Sequence, residues 1–314
     1  MQVMQTRHDS FSRVSESPKD SDASSDFTTP VHASLFPDSS PPPVLKRDMI
    51  IRKNFEKDDE SMFSCEEYFS DIIKYMMHRQ MKNRPSPNYQ NQVTEEMRTI
   101  LIDWFNEIVM EYSLKQETLH LACSLVDRVL SFLDVDKSQF QLVGTSCLMI
   151  AAKYEEVFAP ETKEFSVITD KTYGVDEILR MEKFLLAQLN FDVSLPTAAW
   201  FAASFGKRMK FNEKMTKTMR YLVDLSLLDV HFLRYRPSDI AAAAACFANV
   251  QLGKEAWPKE MVEDTGIHTE HFIDVLKDLH HMYITAPTLD YKSIFNKYCK
   301  TDEMEVALLF APTY

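Results

Sequence analysis

Leu125-Val126-Asp127 recurs as Leu222-Val223-Asp224, and the same 97-residue shift carries Leu130 onto Leu227, Val143 onto Ile240 and Ala151 onto Ala248. In each copy a Leu-rich helix leads, after a short link, into a helix of small residues, Gly144 to Ala152 in the first and Ala241 to Ala248 in the second. Small side chains let neighbouring helices approach from every side, so each of these helices is expected to be the buried centre of its half. A period of about 100 residues is the size of a small domain. The repeat therefore predicts two related helical domains in tandem.

The composition suits that frame. Five glycines in 314 residues are too few for a chain of parallel strands and phosphate-binding loops, which needs them at turns and close backbone approaches. Seventeen methionines and long tracts of Ala, Leu, Met, Lys and Glu favour helix. A net charge of −12 argues against nucleic acid or an anionic membrane as the main partner. Cys65, Cys123, Cys147, Cys246 and Cys299 are scattered and form no CxxC or Cys/His cluster, so reduced thiols without metal or cofactor are expected. Neither a signal peptide nor an apolar run of membrane-spanning length is visible, which points to nucleus and cytoplasm.

Residues 1–60 are rich in Ser, Asp, Pro and Lys and include Pro37-Asp38-Ser39-Ser40-Pro41-Pro42-Pro43. Such a segment cannot bury enough apolar surface to offset its ordering entropy, and is expected to be a disordered regulatory tail. Residues 61–95 read as an N-terminal helix and linker, with an amphipathic helix over 66–81 carrying Tyr68, Ile72, Ile73, Tyr75 and Met76. Arg84-Pro85-Ser86-Pro87-Asn88 ends it. The two domains fall at 96–195 and 196–314, with helix N-caps expected at Thr94, Ser138, Thr197 and Thr269.

The helix that opens the first domain has an apolar stripe of roughly 200°, wider than the little over 100° that a helix laid on a core requires. Ile102, Phe105, Val109 and Tyr112 form one flank; Met97, Ile100, Leu101, Trp104 and Ile108 form the other. One flank is expected to pack inward while the other, with Trp104, stays open as a groove for another protein. Arg98 lies inside the apolar arc, which predicts a buried, paired charge.

A family resemblance is carried by Met97-Arg98-Thr99-Ile100-Leu101-Ile102-Asp103-Trp104, Glu117-Thr118-Leu119-His120-Leu121-Ala122, Asp127-Arg128-Val129-Leu130-Ser131, Gln141-Leu142-Val143-Gly144 and Lys153-Tyr154-Glu155-Glu156. Phe165-Ser166-Val167-Ile168-Thr169-Asp170, Met181-Glu182 and Leu189-Asn190-Phe191-Asp192 continue the series. Together they resemble the cyclin box. Leu227-Leu228-Asp229, Pro237-Ser238 and Ala256-Trp257-Pro258 look like an A-type cyclin, and the resemblance spans about residues 64–312.

The resemblance implies an all-α protein of two five-helix cyclin folds preceded by the 66–81 helix. It also implies a regulatory subunit, itself no enzyme, that activates a cyclin-dependent Ser/Thr kinase of type 1 or 2 in S phase or at mitotic entry. Lys153 and Glu182 match the pair that anchors the kinase helix bearing the ATP-site glutamate. The lysine would donate to backbone carbonyls while the glutamate accepts from backbone N–H groups. On residue chemistry alone the two make an ordinary surface ion pair. Tyr154, Leu186, Phe191 and Val193 would surround the pair as an apolar platform, and Tyr68, Ile72 and Tyr75 would extend it; Tyr154 stands where kinase-facing cyclins usually carry Phe. Arg98 is implied to pair with Asp127 for structural reasons. Met97, Ile100, Leu101, Trp104, Glu107 and Gln141 match the groove that docks Arg-x-Leu substrates and inhibitors, with Phe140 in place of the Leu of related A-type cyclins. On the other reading, the chain's own tail covers that flank.

In the tail, Ser17-Pro18, Thr29-Pro30 and Ser40-Pro41 are minimal sites for a proline-directed kinase. No Arg-x-x-Leu destruction box lies in residues 1–60, although degradation through a ubiquitin ligase is expected, and Ala33-Ser34-Leu35-Phe36-Pro37-Asp38 partly resembles a degradation-related docking motif. Lys46-Arg47 and Arg52-Lys53 are too sparse for a defined nuclear signal. No nucleophile–base pair, Gly-rich loop or metal motif is present to support catalysis. A B-type mitotic cyclin is the alternative within the family. Transcription factor IIB, which also carries two cyclin folds, is disfavoured by the negative charge and the missing zinc-ribbon cysteines.

Overall fold

The computed structural model describes residues 66–87 and 92–312, and every regular element among them is helical. A short 3-10 turn, Glu66–Tyr68, leads into α1 (Phe69–Arg79). Five helices follow: α2 (Glu95–Glu111), α3 (Gln116–Phe132), α4 (Lys137–Glu155), α5 (Thr162–Ile168) and α6 (Val175–Gln188). A second set repeats the order as α7 (Ala198–Arg208), α8 (Glu213–Ser226), α9 (Pro237–Gln251), α10 (Lys259–Thr265) and α11 (Thr269–Thr285), and α12 (Ser293–Tyr298) closes the chain. The tail with its Ser/Thr-Pro sites, the Lys46-Arg47 and Arg52-Lys53 pairs and Cys65 lies outside the described residues.

The small-residue helices are the centres of the two halves. In α4 every residue from Val143 to Ala152 is buried, and in α9 every residue from Ser238 to Asn249. Gly144 is where α2 comes closest to α4: a Cβ there would lie 2.7 Å from both methyl groups of Leu101. The repeat holds in three dimensions, since Leu125, Val126 and Asp127 on α3 and Leu222, Val223 and Asp224 on α8 are all buried.

Thr94 and Thr197 cap α2 and α7, accepting from Met97 N at 3.2 Å and Trp200 N at 3.0 Å. The other two expected caps are corrected. Helix α4 starts earlier: Asp136 is the extended entry residue and its carbonyl accepts from Gln139 N at 2.9 Å, which puts Ser138 inside the first turn. Thr269 is already helical; the entry residue is His268, whose N–H donates to His271 Nδ1 at 3.1 Å.

The two folds are tied by buried polar groups. Arg98 grips Asp127 in a bidentate pair, Nε to Oδ1 at 2.7 Å and Nη2 to Oδ2 at 2.8 Å, and its Nη1 crosses to the carbonyl of Leu227 at 2.6 Å. Asp224 accepts from Gln116 at 2.6 Å and from His120 at 3.0 Å on α3, and from Lys297 at 3.1 Å and Tyr298 at 2.8 Å on α12. Burial alone would raise the Asp224 carboxyl, but Lys297, His120 and Gln116 hold it well below the usual carboxylate range.

Helix α1 lies as a strap on both folds. Gln80 exchanges two hydrogen bonds with Ser238, at 2.9 and 3.0 Å. Arg84 Nη2 donates to the carbonyls of Leu233, Arg234 and Tyr235, satisfying the end of a 3-10 turn. Ser70 donates to the carbonyl of Asp264 at 3.2 Å, and Arg208 stands over the Phe69 ring.

Candidate partner-binding surface

Helix α4 leaves the core at its last turn, so Lys153 and Tyr154 emerge directly from a buried scaffold. The Lys153 Nζ meets Glu182 Oε1 at 2.7 Å, with side chains 42% and 14% exposed. Such a half-solvated pair contributes ~0–1 kcal/mol to folding, so stability does not account for its placement. Glu155, in the same turn, has its carboxyl pushed up to about 7 by burial and by the nearby Glu117, against the pull of Lys115.

Exposed and half-buried apolar side chains lie on the same helices and on the turn that follows α6. Tyr154 is half exposed, Leu186 and Val193 are half-buried, and Phe191 is 71% exposed. The turn after α6 builds this edge: Asn190 and Phe191 both take left-handed backbone, at φ 51° and 56°. That conformation costs a large L-residue ~1–2 kcal/mol, and here it aims a phenyl ring into solvent. The Phe191 N–H donates to the Leu186 carbonyl at 2.9 Å, which fixes the two residues together. Tyr68 at the end of the 3-10 turn and Ile72 and Tyr75 on α1 are all exposed, while Ile73 alone of that helix is buried. The strap reaches this edge directly, because Arg79 Nη2 donates to Asp192 Oδ1 at 2.9 Å, one residue beyond Phe191.

Val157, Phe158 and Leu179 are exposed apolar residues that the sequence reading did not single out. Val157 and Phe158 were legible as an apolar pair following Lys153-Tyr154-Glu155-Glu156, where a purely solvated loop would not carry them.

The flank of α2 expected to stay open is more closed than its width suggests. Met97, Ile100, Leu101 and Phe140 are buried, Trp104 and Gln141 keep only 8% exposure each, and Glu107 is half-buried. α12 and its approach pack on another side of α2, against Asp103 and Asn106. Ser293 N donates to Asp103 Oδ1 at 2.8 Å, Ser293 Oγ bonds both the carbonyl and the carboxylate of Asp103, and Asn106 donates to Ser293 Oγ at 3.1 Å. On the side facing α4, Leu101 fills the space over Gly144. The wide stripe is therefore core on most of its circumference.

Among the described residues, no three His, Cys, Asp or Glu side chains are grouped to hold a metal ion. Cys123, Cys147 and Cys246 are buried free thiols, each pushed up by burial. No described helix is long and apolar enough to cross a membrane.

Two family models match in tandem: "Cyclin, N-terminal domain" over residues 71–194 and "Cyclin, C-terminal domain" over 196–312. The chain is 54% identical to "G2/mitotic-specific cyclin-A1" of Caenorhabditis elegans, over 99% of this chain and 70% of that protein. It is 42% identical to "G2/mitotic-specific cyclin-A" of Spisula solidissima, over 74% of this chain and 56% of that one. Among solved structures, a viral cyclin from herpesvirus saimiri has the same fold with a TM-score of 0.61 at 17% identity, over 71% of this chain and 99% of the viral one.

Proposed function

The chain belongs to the cyclin family, its relatives are A-type cyclins, and from that premise we propose that it binds and activates a cyclin-dependent Ser/Thr kinase of type 1 or 2. It is a regulatory protein rather than an enzyme. The observation that carries the proposal is the Lys153–Glu182 pair, 2.7 Å apart, placed among exposed apolar side chains on a rigid helix end. A lysine with donors to spare and a carboxylate with free acceptor capacity suit the backbone of a partner helix, and the aromatic rim suits its apolar side chains. The experiment is a pull-down of purified kinases of both types followed by a histone kinase assay. Binding without activation, or no binding to either, would reject the proposal.

In the same reading the protein acts in S phase or at mitotic entry, works in nucleus and cytoplasm, and is removed through a ubiquitin ligase. Recruitment of Arg-x-Leu substrates and inhibitors is part of the proposal. Its support is the sequence match together with the residual exposure of Trp104 and Gln141 beside Glu107.

A further inference from the structure

Helix α1 has 11 residues, too few to be stable alone, and Ile73 is its single buried side chain. Phe69, Met76 and Met77 pack half-buried against the core beside it, and polar ties add to that packing. Those to Ser238 and Asp264 join it to the second fold. Its junction with the end of the first fold is made by Asp192. That carboxylate accepts from Arg79 at 2.9 Å and Asn83 at 2.9 Å, and Lys82 lies 3.2 Å away. Arg79 also donates to the Ser194 carbonyl at 3.0 Å.

Asp192 is itself held fast. Its carbonyl accepts from Arg128 Nη1 at 2.7 Å, and Arg128 is buried on α3. Burial would raise the Asp192 carboxyl, but Lys82, Arg79 and Arg128 hold it below its ordinary value, so it stays charged. Its neighbour Phe191 is the exposed ring of the platform edge, and Phe191 is tied back to Leu186. One residue thus joins the edge of the platform to the C-terminal end of the strap.

We infer that Asp192 is a positioning residue of the partner-binding surface: it seats α1 against the Phe191 edge, so that Tyr68, Ile72 and Tyr75 meet the same partner as Lys153 and Glu182. The inference rests on the kinase-binding reading for its partner but not for its mechanics. Pre-seating the strap removes an ordering cost that binding would otherwise carry.

The test is a pair of measurements on the full chain. In the free protein, Asp192→Ala should speed hydrogen exchange of the amides in 69–79 by about tenfold and leave those of 143–152 unchanged. Kinase affinity should fall about tenfold, or 1.4 kcal/mol. In a Tyr68→Ala/Ile72→Ala/Tyr75→Ala background the same substitution should cost no further affinity, since a strap without its contact face gains nothing from being seated. Arg79→Ala with Asn83→Ala leaves Asp192 in place and should reproduce both effects, which covers the case where Asp192→Ala does not fold. Unchanged exchange in 69–79, or additive losses in the triple background, would overturn the inference. A wild-type chain that binds neither kinase type would reject the proposed function and the partner half of this inference, while exchange alone would still decide whether Asp192 seats the strap.

Discussion

Asp127 and Asp224 occupy equivalent places in the two folds, both wholly buried, and both are held by contacts that cross the seam between them. The arginine paired with Asp127 reaches over to the Leu227 carbonyl, while Asp224 takes Gln116 and His120 from the first fold. A duplicated position has thus been used twice for one purpose. The seam is locked by buried, charge-assisted hydrogen bonds, where truncating one partner leaves the other unpaired.

Arg98→Ala and Asp224→Ala are each expected to destabilise the protein by ~3–5 kcal/mol, lowering Tm by about 6–20 °C. Arg98→Met combined with Asp127→Leu should lose less than Arg98→Ala alone, because no unpaired charge remains. Thermal melts of the three variants check this. Asp224 has a depressed folded value, so its contribution is present above the unfolded carboxyl range and lost as pH falls through the folded value.

Lys153→Ala and Glu182→Ala should leave stability within about 1 kcal/mol of wild type, as expected for a half-exposed pair. Each should weaken kinase binding by ~2–5 kcal/mol, roughly 30-fold to 4,000-fold, with activation lost at ordinary concentrations. Calorimetric titration beside a kinase assay reads both. Normal activation by the double variant would remove the pair from the interface.

Docking and activation should separate at Gln141. Trp104→Ala is a poor probe, since losing a nearly buried Trp costs ~3–5 kcal/mol of stability. Gln141→Ala is expected to keep the fold and reduce phosphorylation of a full-length Arg-x-Leu substrate several-fold, while a short peptide lacking the motif is phosphorylated as before. Equal loss on both substrates would mean that Gln141 serves the core alone.

Glu155 supplies a pH test. Its carboxyl rises from 4.5 to about 7 in the folded protein. The folded state therefore holds the proton more tightly, so that stability is fully present below pH 4.5 and declines as pH climbs towards 7. Glu155→Gln should abolish that decline and be more stable than wild type at pH 8 by roughly 1–2 kcal/mol, allowing for solvent screening, with little difference at pH 4.5. Denaturant melts at the two pH values measure it.

What the sequence disclosed depended on whether a residue broke its local pattern. Arg98 stood out as a charge within an apolar arc, and the alanine run of α9 as a helix without a polar face; both are buried as that logic requires. Asp103 and Asn106 fell on the side of α2 where polar residues belong, so nothing in their spacing announced that Ser293, nearly two hundred residues later, would cover them. Ser138 looked like a cap because of its residue type, whereas the backbone had already entered the helix after Asp136. Asp192 drew no notice for its ties to the strap, since its partners at 79, 82 and 83 become neighbours only when the strap folds back.

The strap also sets an order of events. Helix α1 precedes both folds in the chain, yet its seats include Asp192, Ser238 and the carbonyl of Asp264. During synthesis the first fold can collapse on its own local contacts and offer Asp192 to α1, but the seat at Asp264 is absent until some 194 further residues have emerged. The first of the described helices is thus among the last to gain all of its seats. A fragment ending short of Asp264 would display Lys153, Glu182 and Phe191 with the strap held by fewer of its seats, so that a fully seated strap reports the presence of both folds.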